Sequence, residues 1–535
     1  MRRRDFIKAT AIAGVSGVVG QGCSSVKRTS EASGPGFDVH PFVRGHPEAV
    51  FIHLTDIKSK RETGAIRDAG YNLAKELFVK TTSGGYPNST RITAKANWTS
   101  TRQIDSKPVY EILGVNNDPN FVEGCLQGLR DTGPQNFYIR ECASPHQWET
   151  MGYKAMADRN GFDLTDLSSK DYWELKRGDI NFIDIPDGVM FKKMGFMSPM
   201  NEPDTFLVNI AKMKSHGMGI TASIKNLQGI TGKKFHQYCN RYDTIRNSDS
   251  YKRYTKFFHR DFEKRIEKLY ARHLKEGYPR WDKPEGNGGI WQETWVQRMI
   301  DSFSVTPTGL NMVEGIYSQD GNGFGLGPHE KTSNGFSSRD FMSNMVIFGK
   351  DAFRVDIITH WLAGHEPGNF GLFHIGIERG MSDVLDPHDI PVYIWKDGRA
   401  TLTRLESLKR TPLVTYYLQR DYNGQNEPRY HLCDEPFDYS AWKSGRRISD
   451  RTPSIEELGR DSKNNLVMDL KLPRRDDVRV DVLNRKGEII WRLYADGLEP
   501  GAHQVVWDGF DQPGIYSFYV SGMGWDAEKQ IVTYS

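Results

Sequence analysis

Residues 208–232 read VNIAKMKSHGMGITASIKNLQGITG. An apolar run ends in Lys212, Lys214 and His216, two glycines follow at Gly217 and Gly219, and Thr221, Ser223, Lys225 and Asn226 come next. Lysines supply positive charge for a carboxylate or a phosphate. Glycines let backbone N–H groups come close to a ligand. The segment therefore predicts a loop that takes a small anionic ligand, held by Lys212 and Lys214 and contacted by Thr221, Ser223 and Asn226. Histidine titrates near neutral pH, and burial can tune a lysine into the same range. His216 and Lys225 are accordingly the candidates for proton transfer, with Lys225 as a nucleophile in the alternative. The segment is not a Walker A loop, because Gly232-Lys233 is followed by Lys234 and Leu227 stands where the first glycine belongs. On composition alone, a glycine-rich connection with solvated lysines fits equally well.

Other residues could complete such a site. Lys95 and Asn97 sit in the run Lys95-Ala96-Asn97-Trp98, and Glu314, Asn322 and Asp356 lie further along. Lys95 adds a cation, Asn97 and Asn322 orient a substrate, and Glu314 and Asp356 are the acidic partners. A metal is a weaker prospect. His360, His365, Glu366 and His374 cluster near Asp351 and Asp356, but no H-E-x-x-H run is present. His360 and His365 are five apart and would diverge on one helix, so caps and polar loop residues are the favoured reading. Glu314, Asp320 and Asn322 offer only unspecific oxygen ligands. The five cysteines, Cys23, Cys125, Cys142, Cys239 and Cys433, contain no C-x-x-C pair, so no iron–sulfur cluster is expected.

Ligand loops in α/β proteins follow strand C-termini. Short apolar runs alternating with helical stretches predict such a fold, with mostly parallel strands, over residues 37–390. Strands are predicted at 49–54, 91–95, 136–140 and 204–211, and helices at 63–79 and 119–130, the second capped by Asp118-Pro119. Residues 240–300 are dense in charged and aromatic residues and read as a helical insertion on the surface, with Trp281, Trp291 and Trp295 favoured for packing and, in the alternative, lining a sugar or aromatic ligand. Residues 391–474 read as a connecting region. From residue 475 onward, Val478-Arg479-Val480-Asp481-Val482 alternates strictly, and short strands with Gly/Asp turns predict a small antiparallel sandwich.

The chain has 535 residues, with 71 basic and 68 acidic side chains. Arg2, Arg3, Arg4, Lys8 and Asp5 account for the net charge of +3, so the remainder balances and offers nothing to nucleic acid. Arg3-Arg4-Asp5-Phe6-Ile7-Lys8, followed by a Gly/Ala-rich apolar run, resembles a twin-arginine export signal. That resemblance implies a folded chain handed to the Tat translocase and a periplasmic or envelope location. Cys23, between Gly22 and Ser24, stands where a lipoprotein carries its lipid, although Gly20 departs from the usual leucine. Membrane contact is expected only through such an anchor, with residues 24–36 as a flexible tether.

Two further resemblances carry family information. Lys212-x-Lys214-x-His216 with Thr221-Ala222-Ser223-Ile224-Lys225-Asn226-Leu227-x-Gly229 is similar to the central motif of the domain-of-unknown-function 362 family. Lys95-Ala96-Asn97-Trp98, Asn117-Asp118-Pro119, Val313-Glu314-Gly315 with Gly321-Asn322-Gly323, and Gly349-Lys350-Asp351-Ala352 through Asp356 follow in the family's order, over residues 48–385. Some relatives carry iron–sulfur modules, which implies redox work, but this chain lacks those cysteines. Residues 476–522 resemble the Ig-like module of flagellar hook-capping proteins, on Val480-x-Val482, Lys486-Gly487, Trp491-x-Leu493, Gly501-x-His503, Val506-Trp507-Asp508-Gly509 and Gly514-Ile515-Tyr516. The functional expectation is an exported enzyme acting on a small anionic substrate, with a redox or metal link open. The alternative is a non-catalytic envelope protein that binds a ligand or acts as a scaffold.

Overall fold

The computed structural model describes residues 34–98, 113–142, 145–167, 174–216, 219–232, 255–279, 281, 289–321, 338–413, 415–420, 429–431, 436–445, 454–462, 465–472, 476–499, 501–508, 513–522 and 525–533. The leader, Cys23, nearly all of the tether, Asn322, Cys239 and Cys433 lie outside the described residues.

A ten-stranded mixed sheet forms the centre. Its strands are β1 (Val50–Leu54), β2 (Arg91–Ala96), β3 (Phe137–Ile139), β4 (Asp163–Leu164), β5 (Thr205–His216), β6 (Gly219–Thr221), β7 (Leu310–Gly321), β8 (Ser338–Gly349), β9 (Val392–Lys396) and β10 (Arg399–Thr403). The order is β10-β9-β1-β8-β7-β5-β2-β3-β4, and β6 folds back antiparallel onto β5. From β7 across to β4 every neighbouring pair is parallel. The long strand β8 runs antiparallel to both β7 and β1. The mostly parallel sheet expected from the sequence is present, and it continues past residue 390 into β9 and β10.

Alternation along each strand sends neighbours to opposite layers. Ile52, Val313 and Ile347 join one apolar cluster, whereas Phe51, Met312 and Val346 join the other. The second layer holds α1 (Thr63–Leu77) and α2 (Pro119–Arg130). These helices touch backbone to backbone, since a Cβ on Gly124 would lie 2.0 Å from the Arg67 carbonyl oxygen. The first layer holds α3 (Ser223–Asn226), α5 (Gly289–Phe303), α6 (Ala352–Leu362) and α7 (Gly371–Glu378). The charged helix α4 (Phe262–Lys275) buries only Phe262, Ile266 and His273. The predicted surface insertion is corrected in one respect. Helix α5 is enclosed from Gln292 to Phe303, because its polar face is buried along with its apolar one, with Glu293 met by His273 and Trp281 and Asp301 by Arg379.

The C-terminal region is antiparallel. Strands 454–460, 466–472 and 501–507 form one sheet, and strands 489–498, 476–483, 514–522 and 525–533 form another. Leu466, Met468, Leu470 and Leu472 share an apolar cluster with Val478, Val480, Val482, Trp507 and Phe518. Two strands thus precede residue 475, where the module was expected to begin.

His273 clamps α4 to the core. Its Nδ1 lies 2.6 Å from Glu293 Oε2 on α5, and its Nε2 lies 2.7 Å from Glu378 Oε2 on α7. Trp281 Nε1 donates to the same Glu293 oxygen at 2.7 Å. Burial alone would lower the imidazole pKa, but the two carboxylates outweigh it and raise it to about 9. A raised folded-state value means that this stabilisation is complete below about pH 6.5 and fades as pH climbs through 9. The linked contribution is at most about 3 kcal/mol. His273→Gln should lower the urea midpoint at pH 7 and flatten the alkaline loss of stability. Identical pH–stability curves for the two proteins would refute the clamp.

Candidate functional site

Strand β2 passes its chain through α2 to β3 on one side, whereas β5 lies on the other side of β2 and is followed in the sheet by β7. Chains that leave adjacent parallel strands in opposite directions open a crevice over the strand C-termini. Lys95 and Asn97 lie at the end of β2, and Lys212, Lys214 and His216 occupy the last part of β5. Glu314 on β7 stands in register with Lys212. The predicted loop holding the two lysines and His216 is therefore corrected to a buried strand. The spacing Lys-x-Lys carried that information, because it puts both lysines on one face of a strand.

Asn226 ties the crevice together. Its Nδ2 is within hydrogen-bond distance of Lys95 O (3.0 Å), Asn209 Oδ1 (2.8 Å) and Ile210 O (3.0 Å). Its Oδ1 accepts from Lys95 Nζ at 2.8 Å and from Asn97 Nδ2 at 2.9 Å. The short helix α3 that carries Asn226 is held by Asp356 of α6, which accepts from the backbone N–H groups of Ser223 (2.6 Å) and Ile224 (3.0 Å). Burial pushes the Asp356 pKa up to about 7 despite these donors. Asp356 and the Ser223 amide thus position Asn226 from behind.

Two buried ion pairs flank the hub. Lys95 pairs with Glu141, which also accepts from Trp98 N at 3.0 Å. Gly229 makes room for this pair, since a Cβ there would lie 2.2 Å from Glu141 Oε1. Lys212 reaches both oxygens of Glu314, at 2.7 and 2.8 Å, with both side chains fully buried. Its ammonium also lies 3.7 Å from the centre of the Tyr317 ring. Burial pushes Lys212 down and Glu314 up, and each charge opposes the shift of the other. Asn117 bridges the pairs, donating to Glu314 Oε2 at 3.2 Å and accepting from Asn97 N at 2.6 Å. Lys95 and Lys212, read from sequence as ligand-holding cations, are thus already matched by internal carboxylates. Glu141 carries no sequence signal beyond its place after β3.

Lys214, His216 and Lys225 form the other half. Lys214 Nζ donates to the Val115 carbonyl at 2.6 Å. Its burial holds the amine well below the usual lysine range, and the charge of Lys225 pushes the same way. His216 is driven down by the same two causes, with Lys214 adding to them, which keeps the imidazole neutral. Trp295 of α5 meets His216 edge-on at 5.0 Å and lies 5.6 Å from Lys225 Nζ. Trp295, favoured from sequence for packing over lining a ligand, thus stands against both candidate proton carriers. Thr221, opposite Lys214 in the β5–β6 register, has a buried hydroxyl, and Asn97 has a buried Oδ1. Neither atom has a hydrogen-bond partner among the described residues. Strand 415–420 lies against β5, β6 and β7 here. Of the residues singled out from sequence for the site, those among the described residues fall in or directly behind this crevice, and Asn322 lies outside the described residues.

The histidines near α6 are held by backbone carbonyls. His360 Nδ1 lies 2.7 Å from Asp356 O, His365 Nε2 2.5 Å from Leu413 O, and His374 Nε2 2.8 Å from Gly368 O. Burial lowers the His360 pKa to about 4. Among the described residues, no group of three or more His, Cys, Asp or Glu side chains is arranged to hold a metal ion.

A domain of unknown function, DUF362, is found at residues 105–360. The span takes in β5, α3 and β7, begins after Lys95 and Asn97, and ends within α6. No curated protein and no solved structure shows a match to the chain.

Removing one member of a fully buried pair strands the other charge, at a cost of about 3–5 kcal/mol. Glu314→Gln should lower unfolding free energy by that order in urea titrations. Lys212→Met with Glu314→Leu should recover most of the loss, because no charge is then left buried. A single variant as stable as the parent would contradict the pairing.

Proposed function

We propose that the chain is an exported protein that binds a small anion over the C-terminal ends of β2 and β5 and transfers a proton on it. The observation that carries this reading is the juxtaposition of Lys214, His216 and Lys225 with the unpartnered Thr221 hydroxyl and Asn97 carbonyl. Buried polar atoms without partners cost free energy, and a ligand that meets them removes the cost. Lys225, half-buried at the crevice, supplies charge for a carboxylate or phosphate. The neutral imidazole at His216 takes up a proton from solvent as the anion binds and can hand it to the bound molecule, while Lys225 holds the ligand's negative charge. The leader resemblance supports export, and Cys23 is the place for a lipid anchor. The two C-terminal antiparallel sheets support an Ig-like module that displays the larger domain at the envelope.

Calorimetric titration of the protein with inorganic phosphate, pyrophosphate and malonate tests the reading. At least one should bind, and Lys225→Met should weaken it about tenfold or more. His216→Gln should keep most of the affinity but abolish proton uptake, read from titrations in buffers of different ionisation enthalpy. Binding without proton uptake in the parent protein would favour the non-catalytic alternative. No heat with any of the three, or equal affinity in Lys225→Met, would overturn the site.

A further inference from the structure

The side-chain amide of Asn97 has one permitted orientation, and that orientation selects the ligand. Asn226 sets it. The Asn226 Nδ2 faces three acceptors, Lys95 O, Asn209 Oδ1 and Ile210 O. Asn209 is itself fixed, since its own Nδ2 donates to the Ser223 carbonyl at 3.0 Å. The opposite atom of Asn226 faces Lys95 Nζ, an ammonium paired with Glu141 and able only to donate. Reversing the Asn226 amide would set oxygen against oxygen three times and an NH2 group against an ammonium. The Asn226 Oδ1 is therefore an acceptor, and the Asn97 atom 2.9 Å from it must be the Nδ2. The remaining end of the Asn97 amide is a carbonyl oxygen. The residue cannot swing away, because its backbone N–H donates to Asn117 Oδ1 at 2.6 Å and its backbone carbonyl accepts from Asn117 N at 2.9 Å.

Asn97 is 7% exposed, and its Oδ1 meets no donor among the described residues. A buried acceptor left unmet costs free energy that an incoming donor removes. Thr221 places no such demand on a ligand. Its buried hydroxyl turns to donate or to accept, so it suits an anionic oxygen as well as any other group. Asn97 Oδ1 can only accept. A carboxylate or a phosphate dianion brings lone pairs alone and would meet that oxygen with repulsion. The donor must then sit on a second group of the same molecule. Lys214 ends on the Val115 carbonyl, two residues before the Asn117 that grips Asn97, so this oxygen belongs to the same crevice as the cations. Lys225 acts there as a positive charge on both Lys214 and His216. A ligand ammonium meets repulsion in such a field, whereas a hydroxyl donates without carrying charge.

We propose that Asn97 makes the crevice selective for a hydroxylated anion, whose hydroxyl donates to Asn97 Oδ1 while its carboxylate or phosphate is held toward Thr221 and Lys225. This selectivity rests on the anion-binding reading of the crevice, and the probes separate the two. The test is calorimetric titration of the full chain with two matched pairs, tartronate against malonate and glycerol 3-phosphate against propyl phosphate. Members of a pair share their anionic groups and differ in hydroxyl content, and the pair that binds identifies the anion as carboxylate or phosphate. Within that pair the hydroxylated member should bind about tenfold to a hundredfold more tightly, the size of one buried acceptor left unmet. Aminomalonate, with an ammonium in place of the hydroxyl, should bind less tightly than tartronate. Asn97→Ala should bring the ratio within the pair close to one, whereas Thr221→Val should weaken both members and keep the ratio. The ratio in the parent protein requires no variant to fold. Equal affinity within the pair there would overturn the selectivity and leave the anion site standing, with water as the partner of Asn97 Oδ1. An unchanged ratio in Asn97→Ala would remove Asn97 as its source, and tighter binding of aminomalonate than of tartronate would replace the hydroxyl by an ammonium, so either result overturns the proposal. No binding of any of the five probes would overturn the anion site as well.

Discussion

The amide of Asn226 is the constraint on which the crevice depends. Parallel strands are joined by backbone ladders, and at their C-termini the ladder stops and the chains part. Here a side chain takes over. Asn226 reaches backbone carbonyls of both β2 and β5 and the side chains of Lys95, Asn97 and Asn209. An amide suits this role because it offers donors and an acceptor in one rigid plane. Aspartate could not donate to the carbonyls, and leucine would leave several buried groups unmet at about 1–3 kcal/mol each. Asp356 is part of the same device, since it fixes the turn from which Asn226 projects.

The hub permits buried charge. Lys95 with Glu141 and Lys212 with Glu314 are enclosed pairs, and such pairs contribute little net stability over apolar packing. Their value lies in placement. Each fixes a lysine stem and a carboxylate in one orientation, and Asn117 and Asn97 couple the two pairs into a single polar layer. A layer of this kind specifies the spacing between β2, β5 and β7 more sharply than interchangeable aliphatic side chains would.

Much of this was legible in the sequence, and the remainder was hidden for identifiable reasons. Asp118-Pro119 marks the start of α2, because an N-cap followed by proline has one local meaning. The clustering of Lys212, Lys214, Thr221, Ser223 and Asn226 pointed to one place because those residues are near in sequence and lie on a strand, a hairpin return and one helical turn. Glu314 was legible as an acidic partner, but Glu141 and the particular pairings were harder, since sheet order decides them, and β5 pairs with β2 across more than a hundred residues of chain. Lysine composition could not separate a ligand-binding cation from one already paired. Period-two spacing at Lys212 and Lys214 was available, but the adjacent glycines masked it as a loop. Strands β7 to β9 escaped because only pairing with neighbours distinguishes such runs from buried helix, and β10 is a short, mostly polar and exposed edge strand.

Three buried lysines among the described residues show how neighbouring charges add to or oppose the effect of burial. Lys95, Lys212 and Lys214 are equally enclosed, and desolvation lowers the pKa of all three. For Lys95 and Lys212 a carboxylate in direct contact opposes that shift. Lys214 donates to the Val115 carbonyl, and beyond burial the charges of Lys225, Lys95 and Lys212 push its pKa down while Glu141 opposes them. Its amine is therefore driven furthest toward the neutral form. His216, two residues on, is pushed the same way by Lys225 and Lys214. Pairing the first two lysines internally concentrates the basic, proton-accepting character of the layer at the end of β5. An incoming anion would reverse the balance there, since a negative charge beside Lys214 and His216 favours their protonated forms. Under the proposed reading, ligand binding and proton uptake at this position would be one coupled event.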